Sequence, residues 1–229
     1  MKKIKIIKVS GKNKRGEFDF LTEETTLSIR VNGKHLVTLY CSSRDVRELV
    51  IGHLYTTGAI ARLCDIRTLN LTKRNIAEVR VARQRNPQRT PARTSGVTIR
   101  SQKLLALMRT FHNSCAEFKR TGGVHSVALC DTSKILVFKE DLGRHNAFDK
   151  VAGKALEQEI PVHDKIILTS GRIPLEIITK VQRCCIPIIA SVSAPTAQAV
   201  ALARKERITL IGFCRKNKMN IYSAEARIQ

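Results

Sequence analysis

The chain has no tryptophan, and aromatic residues make up only 4% of its 229 positions. Few rings are available to stack on unpaired bases, which argues against a module that reads single-stranded nucleic acid. Acidic residues are also scarce: 19 Asp and Glu stand against 41 Lys and Arg, leaving a formal charge of +22. A surplus of that size points to polyanionic partners, whether nucleic acid, an anionic membrane surface or a ligand carrying several phosphates. The imbalance is sharpest between Glu78 and Glu117, a stretch with no carboxylate and a run of arginines.

Long apolar runs are missing too. The longest uncharged stretch, 184–203, is broken by Pro187 and Pro195 and made polar by Ser191, Ser193, Thr196 and Gln198, so it reads as strand, turn and helix rather than a membrane span. The opening MKKIKIIKVS has neither a continuous apolar core nor a small-residue cleavage site, and the seven cysteines are odd in number and mostly set in apolar, strand-like surroundings. These features lead us to expect a cytoplasmic protein with reduced thiols. GxxxxGK[ST] and GxGxxG are both absent, which leaves nucleotide hydrolysis and dinucleotide redox chemistry without support. A zinc deaminase needs His-x-Glu and Pro-Cys-x-x-Cys ligands; here His125 is followed by Ser126 and Val127, and Cys184 and Cys185 are adjacent, so no metal site is expected.

What is present is an ordinary globular composition, 43% apolar and 26% charged, with no Pro/Gly/Ser-rich linker and hence one main domain. Within it, residues 1–82 read as an N-terminal region of antiparallel β hairpins and one helix. Asn32-Gly33 between β-branched runs is a hairpin turn, and a helix over 44–57 is capped by Ser43 and stopped by Gly58. Residues 83–100 read as a mobile basic loop, because Pro87 and Pro91 interrupt a segment without apolar periodicity. Residues 101–229 open with a helix over 101–111 and then alternate strand and helix, which predicts an α/β fold: a mixed sheet, parallel in part, with helices on its faces.

Four polar turns fall where strands meet helices: Gly122-Gly123 with His125, Gly143-Arg144-His145-Asn146, Ser170-Gly171-Arg172, and Ser193 with Thr196. Small residues admit a ligand close to backbone N–H groups, helix N-termini favour negative charge, and Arg144 or Arg172 can grip phosphate with two N–H groups. One shared anion-binding cleft is the expectation. His145, set between Asp141 and Asp149, is also readable as a base with carboxylates orienting it.

The segments TGGVHSVAL, EDLGRHNAFDKVAG, LTSGRIPLEIITK, SVSAPTAQAVALA and ITLIGFCRKNKMNIYS, in this order, resemble the FdhD family of formate dehydrogenase accessory sulfurtransferases, and EETTLSIRVNG and RDVRELVIGHLYTTGAI extend the similarity upstream. The resemblance implies a cytidine-deaminase-like fold without the zinc, a homodimer, and binding of the molybdenum bis(molybdopterin guanine dinucleotide) cofactor before its delivery to formate dehydrogenase. A ligand with two pyrophosphates suits the lysine and arginine excess. The family's cofactor segment falls on Phe213, Cys214, Arg215, Lys216, Asn217 and Lys218.

In the family, a cysteine desulfurase passes persulfide sulfur to a Cys-x-x-Cys motif on a mobile loop, a step that needs an accessible thiolate. The matching stretch here, RQRNPQRTPARTSGVTI, has no cysteine, and none occurs between Cys64 and Cys115. No catalytic residue is therefore matched. The chain either escorts cofactor without carrying sulfur, uses another thiol such as Cys115 or Cys214, or relays sulfur without a covalent step. A basic nucleic-acid-binding module built on residues 80–103 is the alternative from another class.

Overall fold

Strand-forming alternation dominates the first third of the chain. In the computed structural model, which describes residues 1–82 and 96–229, it yields a hairpin of β1 (Lys2–Ser10) and β2 (Asn13–Leu21) and then β3 (Thr25–Val31) and β4 (Lys34–Cys41). Asn32 (φ 50°) and Gly33 (φ 79°) make the left-handed turn between β3 and β4 that the sequence foretold. Helix α1 (Val46–Thr57) begins two residues later than expected, after Asp45 in a left-handed conformation rather than Ser43, and ends at Gly58, whose N–H closes on Leu54 and Tyr55. Strands β5 (Ile66–Leu71) and β6 (Ile76–Val81) complete a four-stranded sheet in the order β4-β3-β6-β5. It is not wholly antiparallel, because β3 runs parallel to β6.

The remainder builds a six-stranded sheet, β12-β11-β10-β9-β7-β8. Its strands are β7 (His125–Cys130), β8 (Ile135–Asp141), β9 (Ile166–Thr169), β10 (Ile188–Ser191), β11 (Thr209–Arg215) and β12 (Lys218–Ser223). The helices are α2 (Ser101–Ser114), α3 (Ala116–Thr121), α4 (Arg144–Glu157), α5 (Leu175–Arg183) and α6 (Ala197–Lys205). β9, β10 and β11 are parallel, while β7 lies antiparallel to β8 and β9, and β12 antiparallel to β11. Period-two side chains sort onto two faces. Val127, Leu129, Ile167, Ile189 and Leu210 pack under α4, α5 and α6. Ala128, Cys130, Leu168, Ala190 and Ile211 pack under α2. The mixed α/β sheet with helices on both faces is as expected. The basic loop expected over 83–100 lies mostly outside the described residues; within 96–100, Ile99 bridges Ile228.

Helix α1 joins the two sheets. Leu49, Val50 and Leu54 enter the core of the four-stranded sheet with Leu27, Ile29 and Val79. Its other side meets α4 so closely that a Cβ on Gly52 would lie 1.7 Å from the Asp149 carbonyl oxygen, and one on Gly153 2.0 Å from that of Glu48. Only glycine fits either position. Among the described residues, no helix is long and apolar enough to cross a membrane.

Candidate functional site

The strand directions send β8, β9, β10 and β11 to the same rim of the large sheet, and β7 and β12 start from it. Every turn singled out in the sequence therefore arrives at one edge, the usual place for ligands in such sheets.

At its middle, the Ser126 N–H donates to Ser170 Oγ (2.9 Å), and the Ser170 N–H donates to the Ser126 carbonyl (3.0 Å). Gly171 is buried; a Cβ there would stand 3.2 Å from Arg144 Cβ and 3.3 Å from His125 Nδ1, so both side chains border the space beside this glycine. The Gly171 carbonyl accepts from Ser191 Oγ (2.7 Å). Next along the edge, the Ile173 N–H donates to Ala194 O and the Thr196 N–H to Ile173 O, each at 3.0 Å, and the Ser193 carbonyl accepts from the Phe213 N–H (3.1 Å). His125, Arg144, Ser170, Gly171, Ser193, Thr196 and Phe213 thus form one connected row, with exposed Arg172 beside them.

The row ends in the β11–β12 turn, where Lys216 (φ 49°) and Asn217 (φ 63°) adopt the left-handed conformation and leave Arg215, Lys216 and Lys218 exposed. Asn217 Oδ1 accepts from Arg109 Nη1 of α2 (3.1 Å), a tether no sequence motif announces. The bulge at Phe213 (φ 52°) turns Cys214 away from the edge into the core beneath α2, where burial pushes its thiol up to about 11.

Electrostatics favour an anion. Arg144 Nε is buried and has no hydrogen-bond partner among the described residues. Burial, then the guanidinium groups of Arg144 and Arg172, hold His125 below its ordinary 6.5. Burial followed by Arg144 and Lys180 does the same to His145, outweighing Glu176 and Asp149. Burial is the first cause for both imidazoles, and the neighbouring cationic groups push the same way.

Some expected members of the site have structural jobs instead. Gly122 (φ 65°) stops α3, and Gly123 lies against Thr22 at the root of the β1–β2 hairpin. Asn146 turns inward, its Nδ2 donating to Tyr40 O (2.7 Å) and Asp141 Oδ1 (2.9 Å). The reading of His145 as a base flanked by Asp141 and Asp149 fails. His145 Nε2 instead meets Glu176 Oε2 at 3.2 Å, a partner the sequence did not suggest. Asp141 pairs with Lys150 (2.6 Å), both fully buried, and accepts from the Ser42 N–H and Oγ (3.1 Å each). Asp149 is held by Lys180 (2.5 Å), Thr56 (2.7 Å) and His53 (3.2 Å). Glu140 caps α3 by accepting from the Glu117 and Phe118 N–H groups.

Neither thiol considered as a sulfur donor is accessible. Cys115 is buried, its Sγ donates to Phe111 O (3.2 Å), and burial raises its pKa. Cys41, Cys130, Cys184 and Cys214 are buried as well, and Cys64 is the exposed thiol among the described residues. An apolar cavity lined by Tyr55, Leu129, Phe148, Ile160, Cys184 and Ile186 lies toward the opposite rim, and no basic residue is among those that line it.

Comparison with known proteins agrees with this architecture. A family model described as the FdhD/NarQ family matches residues 22–97 and 79–229. The sulfur carrier protein FdhD of Bacillus licheniformis is 35% identical over 92% of this chain and 90% of its own. That of Sulfurisphaera tokodaii is 34% identical over 100% of this chain and 99% of its own. A crystal structure from Desulfotalea psychrophila, described as a candidate formate dehydrogenase accessory protein, superposes with a TM-score of 0.88 over 99% of this chain and 98% of that one, at 24% identity. With its fold shared and its sequence matched nearly end to end, the chain belongs to the FdhD/NarQ family.

Proposed function

We propose that this protein serves the maturation of formate dehydrogenase by holding the molybdenum bis(molybdopterin guanine dinucleotide) cofactor along the edge of its large sheet. The carrying observation is Arg144, whose buried Nε lacks an acceptor among the described residues while its side chain borders Gly171 and its charge acts on His125. A buried donor left unpaired is costly, and a phosphate oxygen satisfies it. Arg172, Arg215, Lys216 and Lys218 extend the charge along the row and make no ion pair with a carboxylate among the described residues, so the residues present suit a polyphosphate. When bound, the cofactor supplies the pyrophosphates and the molybdenum that finally carries the sulfur ligand. The chain's own residues bind and orient: Arg144 and Arg172 at the centre, the β11–β12 turn at one end.

The relatives are named as sulfur carriers. In this chain, a role as cofactor escort, with a cysteine desulfurase acting on the cofactor's behalf elsewhere, agrees better with Cys115 and Cys214, the two thiols considered, being buried and raised in pKa. Calorimetry with GDP at low salt tests the binding reading. Arg144→Gln should weaken affinity by about tenfold or more, the worth of one charge-assisted hydrogen bond. Binding of GDP no tighter than that of tripolyphosphate, or an unchanged affinity in the variant, would overturn it. Persulfide on any native cysteine after incubation with a desulfurase and cysteine would restore the covalent carrier.

A further inference from the structure

The β1–β2 hairpin belongs to neither sheet. Directly paired residues share a face, so the register Lys3↔Phe20, Lys5↔Phe18, Ile7↔Gly16, Val9↔Lys14 defines one side of the ribbon. On that side Ile7 is 73% exposed, Val9 58% and Phe18 62%. Gly16 opposite Ile7 has no side chain to cover it, and the Lys3 ammonium stands 4.4 Å from the Phe18 ring centre. A lone two-stranded ribbon is marginal in water, and a cluster of exposed apolar side chains on one usually marks a surface made to be covered.

What covers it follows from charge and position. Residues 2–21 carry Lys2, Lys3, Lys5, Lys8, Lys12, Lys14 and Arg15 against Glu17 and Asp19 alone. Two copies of so basic a ribbon repel one another, and lysines along a strand edge oppose strand pairing. An acidic surface is the complement. The ribbon is also rooted beside the candidate site: the Arg120 guanidinium of α3 lies 3.8 Å from the Phe20 ring centre, and Thr22 Oγ1 is bonded to Thr121 Oγ1 (3.0 Å), four residues before His125.

We infer that the hairpin is a docking arm for an acidic protein surface with an apolar centre, seating Ile7, Val9 and Phe18, and that the protein so held is the enzyme receiving the ligand of the neighbouring edge. The last clause rests on the proposed function. The arm brings the recipient to the rim where Arg144 and His125 lie, shortening the path of a ligand too charged to be released freely.

The test uses the full chain and purified, cofactor-free formate dehydrogenase catalytic subunit from the same organism, with Kd read by interferometry. Ile7→Ser with Phe18→Ser, and separately Lys5→Glu with Lys14→Glu, should each weaken binding by about tenfold or more. GDP affinity should stay within about twofold, because neither pair of residues touches the edge. The second variant leaves the apolar strip in place and guards against a ribbon that fails to form. Raising salt from about 0.05 to about 0.5 M should weaken the wild-type complex. Absence of wild-type binding, or unchanged affinity in both variants, overturns the arm. So does a change in sedimentation between wild type and Ile7→Ser/Phe18→Ser, which makes a second copy the occupant. GDP binding without dehydrogenase binding removes the arm and leaves the proposed function; dehydrogenase binding without GDP binding does the reverse.

Discussion

Lys150 and Asp141 meet at 2.6 Å with no exposure of either side chain, and Ser42 Oγ accepts from Lys150 (2.8 Å) while donating to Asp141. Asp141 also accepts from the Gly143 N–H and from Asn146 Nδ2, so the carboxylate fixes the turn that carries Arg144. Lys150→Met should cost about 3–5 kcal/mol in denaturant unfolding, because it strands a buried charge. The histidines give a pH signature. Both titrate below the 6.5 of an unfolded histidine, so as pH falls through 6.5 the unfolded chain takes up protons first. Stability conferred by the neutral imidazoles is whole above that pH and lost below it, down to the native pKa values. Affinity for GDP should move oppositely, rising as protonated His125 joins Arg144, and calorimetry and melting between about pH 8 and about pH 5 should show the two trends crossing. That the turns of Arg144 and Gly171 meet at one edge was legible from the alternation of strand and helix. The true partners of Asp141 and Asp149 were not, because Ser42 and His53 come from the other sheet's half of the chain.

Between α1 and α4 the contact is backbone on backbone. Gly52→Ala and Gly153→Ala should each cost about 3 kcal/mol, since no side-chain rotation relieves a Cβ pressed on a carbonyl. Gly16→Ala on the ribbon should stay within about 0.5 kcal/mol, its new Cβ meeting only Lys5 Cε at 3.7 Å. Urea denaturation of the three variants checks the ranking. Most strand and helix positions were readable from periodicity and from Asn32-Gly33; α3, and the last turn of α2 beyond 111, were not. The start of α1 was not, as Asp45 enters it in a left-handed conformation with no side-chain cap to advertise it. The glycine crossing escaped as well, because a glycine inside a helix reads as weakness until its neighbour is known.

Across the whole molecule, the seven thiols report the packing. Under native alkylation Cys64 should react first and Cys185 slowly, with Cys41, Cys115, Cys130, Cys184 and Cys214 modified only on unfolding, as peptide mass mapping would show. The core character of five of them was legible in apolar surroundings, and so was a mixed sheet. How the two sheets dock was not, since that depends on Gly52 and on the pair made by Asp141 and Lys150 rather than on any periodic signal. The large sheet has a second rim, formed by 131–134, 158–165, 184–187 and 206–208, which carries none of Arg144, Arg172 and Arg215. Peptide inserts or reporter tags placed at 161–164 would lengthen a connection on the rim opposite Arg144, giving engineers a handle on this scaffold that leaves the proposed binding edge alone.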